Sequence, residues 1–161
     1  MNHSNVNILK NNINTKVSNF VLLSIVTGGI YPMMWLYMNQ PKLTEHTHNE
    51  FVAKDYPLWL AIVTGFGWLL TDISYFISES ETVLDHIATL LSVASTVMII
   101  FWAFKAKRAL QIYALNEFKF ELKMNPFYTF IFSIYYIVYC INDMESELQK
   151  HNIIYRKKKA E

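Results

Sequence analysis

The chain has 161 residues, of which 53% are apolar, 16% aromatic and 17% charged, and its net charge is +1. That length fits one domain, 1–161, and the composition excludes a disordered chain while leaving little of the charge that a soluble surface carries. The near-neutral balance gives no basic footprint for nucleic acid, and the single cysteine, Cys140, excludes an intrachain disulfide.

Residues 1–16 read as a polar N-terminal tail. The first apolar run, 17–38, is interrupted by Thr27, Gly28 and Gly29, with Pro32 close behind. Paired glycines permit a reversal, and proline disfavours helix in the residue before it. Each half is about 9–10 residues, roughly 15 Å of helix, or half a bilayer. The spacing predicts a broken, re-entrant helix that enters and leaves a membrane by one face. Within it Tyr31, Trp35 and Asn39 recur every four residues and so share a helical face, expected to pack on the central helices.

Glu45-His46-Thr47-His48-Asn49-Glu50 is the densest group of ligand-type side chains. In an extended stretch His46 and His48 would point to one side, and Glu50 could complete a zinc site. No second spaced pair lies nearby, so neither a metal nor another cofactor is expected.

Runs 58–77 and 83–104 are each long enough for a helix of about 30 Å, the thickness of a hydrocarbon core. The short link between them, 78–82, contains Glu79 and Glu81 and no basic residue. These two runs predict an antiparallel transmembrane hairpin. At its far end Phe101, Trp102 and Phe104 are followed by Lys105, Lys107 and Arg108, an aromatic belt and then cations placed for lipid headgroups. Asp72 is the ionisable residue within the hairpin. An intramembrane acid is a candidate ion site, although here it lies about five residues from the helix end, within reach of water.

Residues 105–125 read as a cytoplasmic connector, helical through Ala109–Leu115. Its end, Glu117–Met124, alternates strictly and places Phe118, Phe120, Leu122 and Met124 on one face if extended. An amphipathic connector lying on the headgroups is expected, with a pairing edge for another strand as the alternative. The segment 126–142 is short and carries Tyr128, Tyr135, Tyr136 and Tyr139, which favour the headgroup level, so it is expected to be interfacial or re-entrant. Residues 143–161 read as a basic C-terminal tail. Its Arg156, Lys157, Lys158 and Lys159 would each add about 1 kcal/mol of attraction to anionic headgroups.

The positions of the fourteen Lys and Arg residues arbitrate among crossing schemes. If all four apolar runs cross, the cations divide equally between the two sides. If only 58–77 and 83–104 cross, all lie on one side; if 17–38 crosses too, Lys10 and Lys16 are stranded opposite the rest. Excess Lys and Arg marks the cytoplasmic face. The reading is thus an all-α integral membrane protein with both termini cytoplasmic and a central two-helix hairpin flanked by two re-entrant or interfacial segments. Three or four crossings are the alternatives.

The stretch Leu22-Leu23-Ser24-Ile25-Val26-Thr27-Gly28-Gly29-Ile30-Tyr31-Pro32-Met33-Met34-Trp35-Leu36-Tyr37 resembles the signature of a bacterial family of small inner-membrane proteins, domain of unknown function 4234. Asn125-Pro126-Phe127-Tyr128-Thr129-Phe130 is similar to the closing segment of its longer members. Gly28 stands where a bulkier apolar residue is usual. The resemblance implies a bacterial inner-membrane location and no established activity or catalytic residues.

No phosphate loop, zinc spacing, nucleophile elbow or catalytic carboxylate pair is present, so an enzyme is not expected. The leading expectation is an accessory or regulatory subunit of a membrane assembly, with Ser92–Ser95 as a small-residue packing face. A membrane-shaping or anionic-lipid-binding module and a homo-oligomeric channel or transporter around Asp72 are the alternatives. Expected partners are membrane lipids with anionic headgroups, together with a membrane protein or further copies of the chain.

Overall fold

The computed structural model describes residues 4–77 and 83–160, with side chains described for 9–77 and 83–154. The link with Glu79 and Glu81, and the side chains of Arg156, Lys157, Lys158 and Lys159, lie outside the described residues. The order is α1 (Ser4–Ile13), α2 (Val17–Val26), α3 (Ile30–Thr47), α4 (Tyr56–Ile77), α5 (Val83–Phe118) and α6 (Pro126–Ala160). The described residues are all-helical, with no strand.

The break in the first run is a full helix stop. Gly28 and Gly29 take φ of +59° and +91°, a region closed to most side chains. Gly29 N–H donates to Ser24 C=O at 2.8 Å and Gly28 N–H to Ile25 C=O at 3.1 Å, the paired bonds of a Schellman motif. Thr27 joins the two helices, its hydroxyl donating to Leu23 C=O and accepting from Tyr31 N–H. Helix α3 then continues nine residues beyond the expected end at Met38. Trp35, Leu36, Asn39, Gln40, Leu43 and Thr47 keep one face buried at helical spacing, despite Pro41 within the helix.

Helices α4 and α5 are the two described helices long and apolar enough to cross a membrane. The buried residues of α4 are Pro57, Leu60, Thr64, Gly67 and Ser74, small or polar for the most part, and Gly67 and Ser74 among them face α5. A Cβ at Gly67 would meet Leu91 Cβ at 3.4 Å, so the glycine sets how closely the helices approach. The opposite face of α4 exposes Trp59, Ile62, Phe66, Leu69, Ile73 and Phe76 at alternating spacings of three and four residues. This helix is more apolar outside than inside.

Three expectations need correction. Residues 1–16 are not a tail: α1 buries Leu9 and Ile13 and pairs Lys10 with Glu145 at 3.4 Å. The 105–125 connector is helical through Leu115 as read and on to Phe118, where Lys119 turns the chain with φ +55°. The alternation after it is extended as read, yet Phe118, Phe120, Leu122 and Met124 are all buried in the chain's own core, covering neither headgroups nor a partner strand. Gln111 fixes this strap by donating to Leu122 C=O at 3.1 Å. The 143–161 tail is helical to Ala160, and Met144 and Leu148 hold it to the core.

The core lies at one end of the α4–α5 hairpin. It joins α1, the start of α2, most of α3, the second half of α5, the strap and α6 from Ile134 onward. Beyond it protrude the α2–α3 elbow and the first two turns of α6. The latter end at Ser133, where φ 42° and ψ −114° break the helix.

Candidate functional site

Trp35 and Trp102 organise the core where the elbow meets α5. Their ring centroids lie 6.4 Å apart, nearly perpendicular, and Phe20 packs edge-on to Trp35 at 5.5 Å, to Tyr31 at 5.6 Å and to Tyr135 at 5.1 Å. Both indole N–H groups are used inside the chain: Trp35 donates to Thr15 Oγ1 at 2.9 Å, and Trp102 to Gln40 Oε1 at 3.1 Å. Gln40 in turn donates to Ala53 C=O at 2.8 Å, tying the loop before α4 to the same cluster. Asn39 donates to Trp35 C=O. Of the face of Tyr31, Trp35 and Asn39, Trp35 meets Trp102 of the hairpin while Tyr31 packs on Phe20, and the polar side-chain atoms of Trp35 and Asn39 are spent inside the chain.

The histidine group does not assemble. Helix α3 runs through Thr47 and His48 caps it at φ 50°, so His46 and His48 are not on one side of an extended stretch. His46 Nε2 lies 2.7 Å from Asn12 Nδ2, and Glu50 pairs with Lys54 at 3.8 Å. Among the described residues no three His, Cys, Asp or Glu side chains gather as a metal-holding group.

Asp72 is exposed on α4. The neighbouring polar contact is made by Ser74, buried to 2% exposure, which donates to Asp85 Oδ1 at 2.6 Å and stitches the two hairpin helices. This pair had no signal in the sequence beyond Asp85 standing in the first turn of α5, where a carboxylate suits the positive helix end.

Lys105, Lys107 and Arg108 leave the hairpin together. They surround a shallow pocket of about 450 Å³ with Phe101, Phe104 and Gln111. The Lys105 ammonium stands 5.3 Å from the Phe101 ring centre and that of Lys107 5.9 Å from the Phe104 ring. Ring faces draw the ammonium groups inward while the stems follow the apolar helix, the arrangement of cations that reach from an apolar layer toward water. Three cations line this pocket. A second, almost wholly apolar cleft of about 330 Å³ separates α3 from α4.

Ser92–Ser95 is in part internal: Ser95 is buried and Ser92 borders Gly67, so part of the face expected to receive a partner is already occupied by α4.

The family described as Domain of unknown function (DUF4234) matches residues 15–112, from the end of the α1–α2 connection to the second half of α5. No curated protein and no solved structure matches the chain.

Proposed function

The chain belongs to the family described as Domain of unknown function (DUF4234), and on that premise we propose a non-enzymatic membrane module that engages anionic lipid at the cytoplasmic face of a bacterial inner membrane. In this reading α4 and the first half of α5 cross the bilayer, and the α2–α3 elbow and the start of α6 dip into the near leaflet. The core at the hairpin base then lies at the cytoplasmic surface with both termini.

The observation that carries the reading is the convergence of Lys105, Lys107 and Arg108 on one pocket directly below the aromatic end of the apolar hairpin. Three further features support it. Asn12 and His46 touch although the first apolar run lies between them, a contact that supports a run leaving and returning on one side. Phe120 and His151, on either side of the fourth run, have ring centres 5.8 Å apart. The elbow exposes Leu22, Ile25, Val26 and Ile30 together, and the start of α6 exposes Phe127, Phe130, Ile131 and Phe132. Apolar tips of this kind beside basic groups favour insertion into an anionic interface.

Lipid co-extracted with the chain in polymer-bounded discs tests the proposal. Anionic lipid should exceed its bulk share by at least about fivefold, the factor that roughly 1 kcal/mol from a single juxtamembrane cation supplies. The triple variant Lys105→Gln, Lys107→Gln, Arg108→Gln should return to the bulk share. A wild-type chain with bulk composition would defeat the idea.

An accessory-subunit role is a second reading, favoured by the exposed Trp59–Phe76 stripe of α4, whose three- and four-residue spacing is that of a helix-packing seam. Extraction in mild detergent should then bring a larger protein with the chain, and Phe66→Ser should release it. A monodisperse monomer would oppose this reading.

A further inference from the structure

We infer that one face of α5 binds a phospholipid carrying two phosphates, of the diphosphatidylglycerol class. Its headgroup occupies the pocket of Lys105, Lys107 and Arg108, and an acyl chain lies on the apolar stripe that continues from it. The assignment rests on the anionic-lipid reading above and adds the number of phosphates and the seat of the chain.

The pocket's charge is not answered from within the chain. Among the described residues the ion pairs engage Lys10, Lys54 and Lys150, whereas Lys105, Lys107 and Arg108 make no ion pair and no side-chain hydrogen bond. The two ammonium groups stand over separate rings, Lys105 over Phe101 and Lys107 over Phe104. A ring face attracts an ammonium but leaves its charge in place. Three uncompensated cations thus line one pocket of about 450 Å³.

Helical register separates the cations. At about 100° per residue, Lys107 is turned roughly 200° from Lys105 about the helix axis, and Arg108 falls between them on the pocket side. The lysines therefore flank the face, with a guanidinium fork at its centre. A single phosphodiester engages one flank and Arg108. Two phosphates joined by a short polyol engage both flanks, and the fork of Arg108 can bond either.

The same face supplies the bed for hydrocarbon. Leu90, Val93, Val97, Phe101 and Phe104 are exposed at steps of three and four residues, and Arg108 follows one turn later. Buried Ala88, Ser95 and Trp102 mark the opposite side of α5. One leaflet, about 15 Å, covers about ten residues of helix. A chain whose headgroup sits in the pocket accordingly lies across Phe101 and Val97. Phe101 belongs to both parts, lining the pocket and continuing the stripe.

Photolabelling tests the assignment. The full chain is reconstituted in phosphatidylcholine vesicles containing diphosphatidylglycerol or phosphatidylglycerol at equal phosphate, each with a diazirine on one acyl chain. Label at Val97 and Phe101 should be about fivefold higher from diphosphatidylglycerol, the factor for one further juxtamembrane cation engaged. Phosphatidate, with its charge on one phosphate, should behave like phosphatidylglycerol. Lys107→Gln should bring the two lipids level, and Lys105→Gln, on the other flank, should do the same and serves if the first variant fails to fold. Soluble pyrophosphate at matched ionic strength should leave the label in place. Equal labelling by the lipids in wild type, or a preference unchanged in both variants, overturns the two-phosphate assignment. Displacement by pyrophosphate gives the pocket to a free pair of phosphates and overturns the lipid. Label from the anionic probes no higher than from a phosphatidylcholine probe overturns the anionic-lipid reading itself, so the failures are told apart.

Discussion

Asn12 Nδ2 and His46 Nε2 lie 2.7 Å apart although 34 residues separate them in sequence. Between them runs the whole first apolar segment. A single straight passage through a hydrocarbon core would part its two ends by about 30 Å, so contact across them requires the chain to double back. The elbow at Gly28 and Gly29 is where it does so.

Substitution at that elbow should therefore act through backbone conformation alone. Neither Gly28 nor Gly29 has an atom within 4 Å of a built Cβ, while both hold positive φ. Gly28→Ala and Gly29→Ala should each lower stability by about 1 kcal/mol, read as a fall in the detergent unfolding midpoint. Gly65→Ala, in open space on α4 at ordinary helical φ, should hold or raise it. Equal losses at all three positions would contradict the assignment.

Trp102 and Gln40 form the polar pin of the aromatic core. Trp102→Phe keeps a ring there but leaves Gln40 Oε1 buried without its donor, at a cost of about 1–3 kcal/mol. Gln40→Leu in the Trp102→Phe background should recover part of that loss, since the orphaned amide is gone and the exposed Ala53 can turn its freed C=O to water. A double variant worse than the sum of the singles would show that the pin is not coupled in this way.

Ser133 breaks α6 at φ 42° and ψ −114°. A residue with Cβ is strained there and glycine is not, so Ser133→Gly should raise stability by about 1 kcal/mol. Ser133→Val should lower it by more than that, because a branched side chain tolerates positive φ least. The unfolding midpoints of the two variants, compared with wild type, decide the matter.

Burial pushes the Cys140 thiol up from its ordinary value of 9.0 to about 11. At pH 7.5 native Cys140 should react with maleimide about a hundredfold more slowly than in unfolded chain, because the thiolate is the nucleophile. Stability follows the same proton. Between pH 9 and 11 the unfolded chain releases it while the folded chain keeps it, so this contribution is full below pH 9 and is lost as the pH rises through 11. A maleimide rate in the native protein equal to that in denaturant would refute the buried setting.

Much of the architecture is legible in the residues. Gly28-Gly29 marks the elbow, the uninterrupted runs mark α4 and α5, and the four-residue spacing of Tyr31, Trp35 and Asn39 marks a helical face from which Trp35 packs on Trp102. What escaped were elements whose apolar content is sparse. Helix α1 carries Leu9 and Ile13 in a polar background, so its periodicity is faint, and it is buried only because α3 and α6 receive it. The alternation of Phe118 to Met124 reports an extended strap correctly, but a period of two does not reveal which surface covers it. The Ser74–Asp85 bond joins two helices across a link, a relation that no local pattern encodes. His46, His48 and Glu50 are of types that suit a metal, and what keeps the two histidines off one extended face is the helix through Thr47, set by Leu43 and Thr47 buried against the core.

The account depends most on the first apolar run turning back before it crosses. Single cysteines at Asn5, His48, Ser80 and Glu121, in a Cys140→Ser background, can be probed with an impermeant maleimide in intact and inverted membranes. The account predicts that positions 5, 48 and 121 label from the cytoplasmic side and position 80 from the opposite side. A cysteine at position 5 that labels together with position 80 would contradict it.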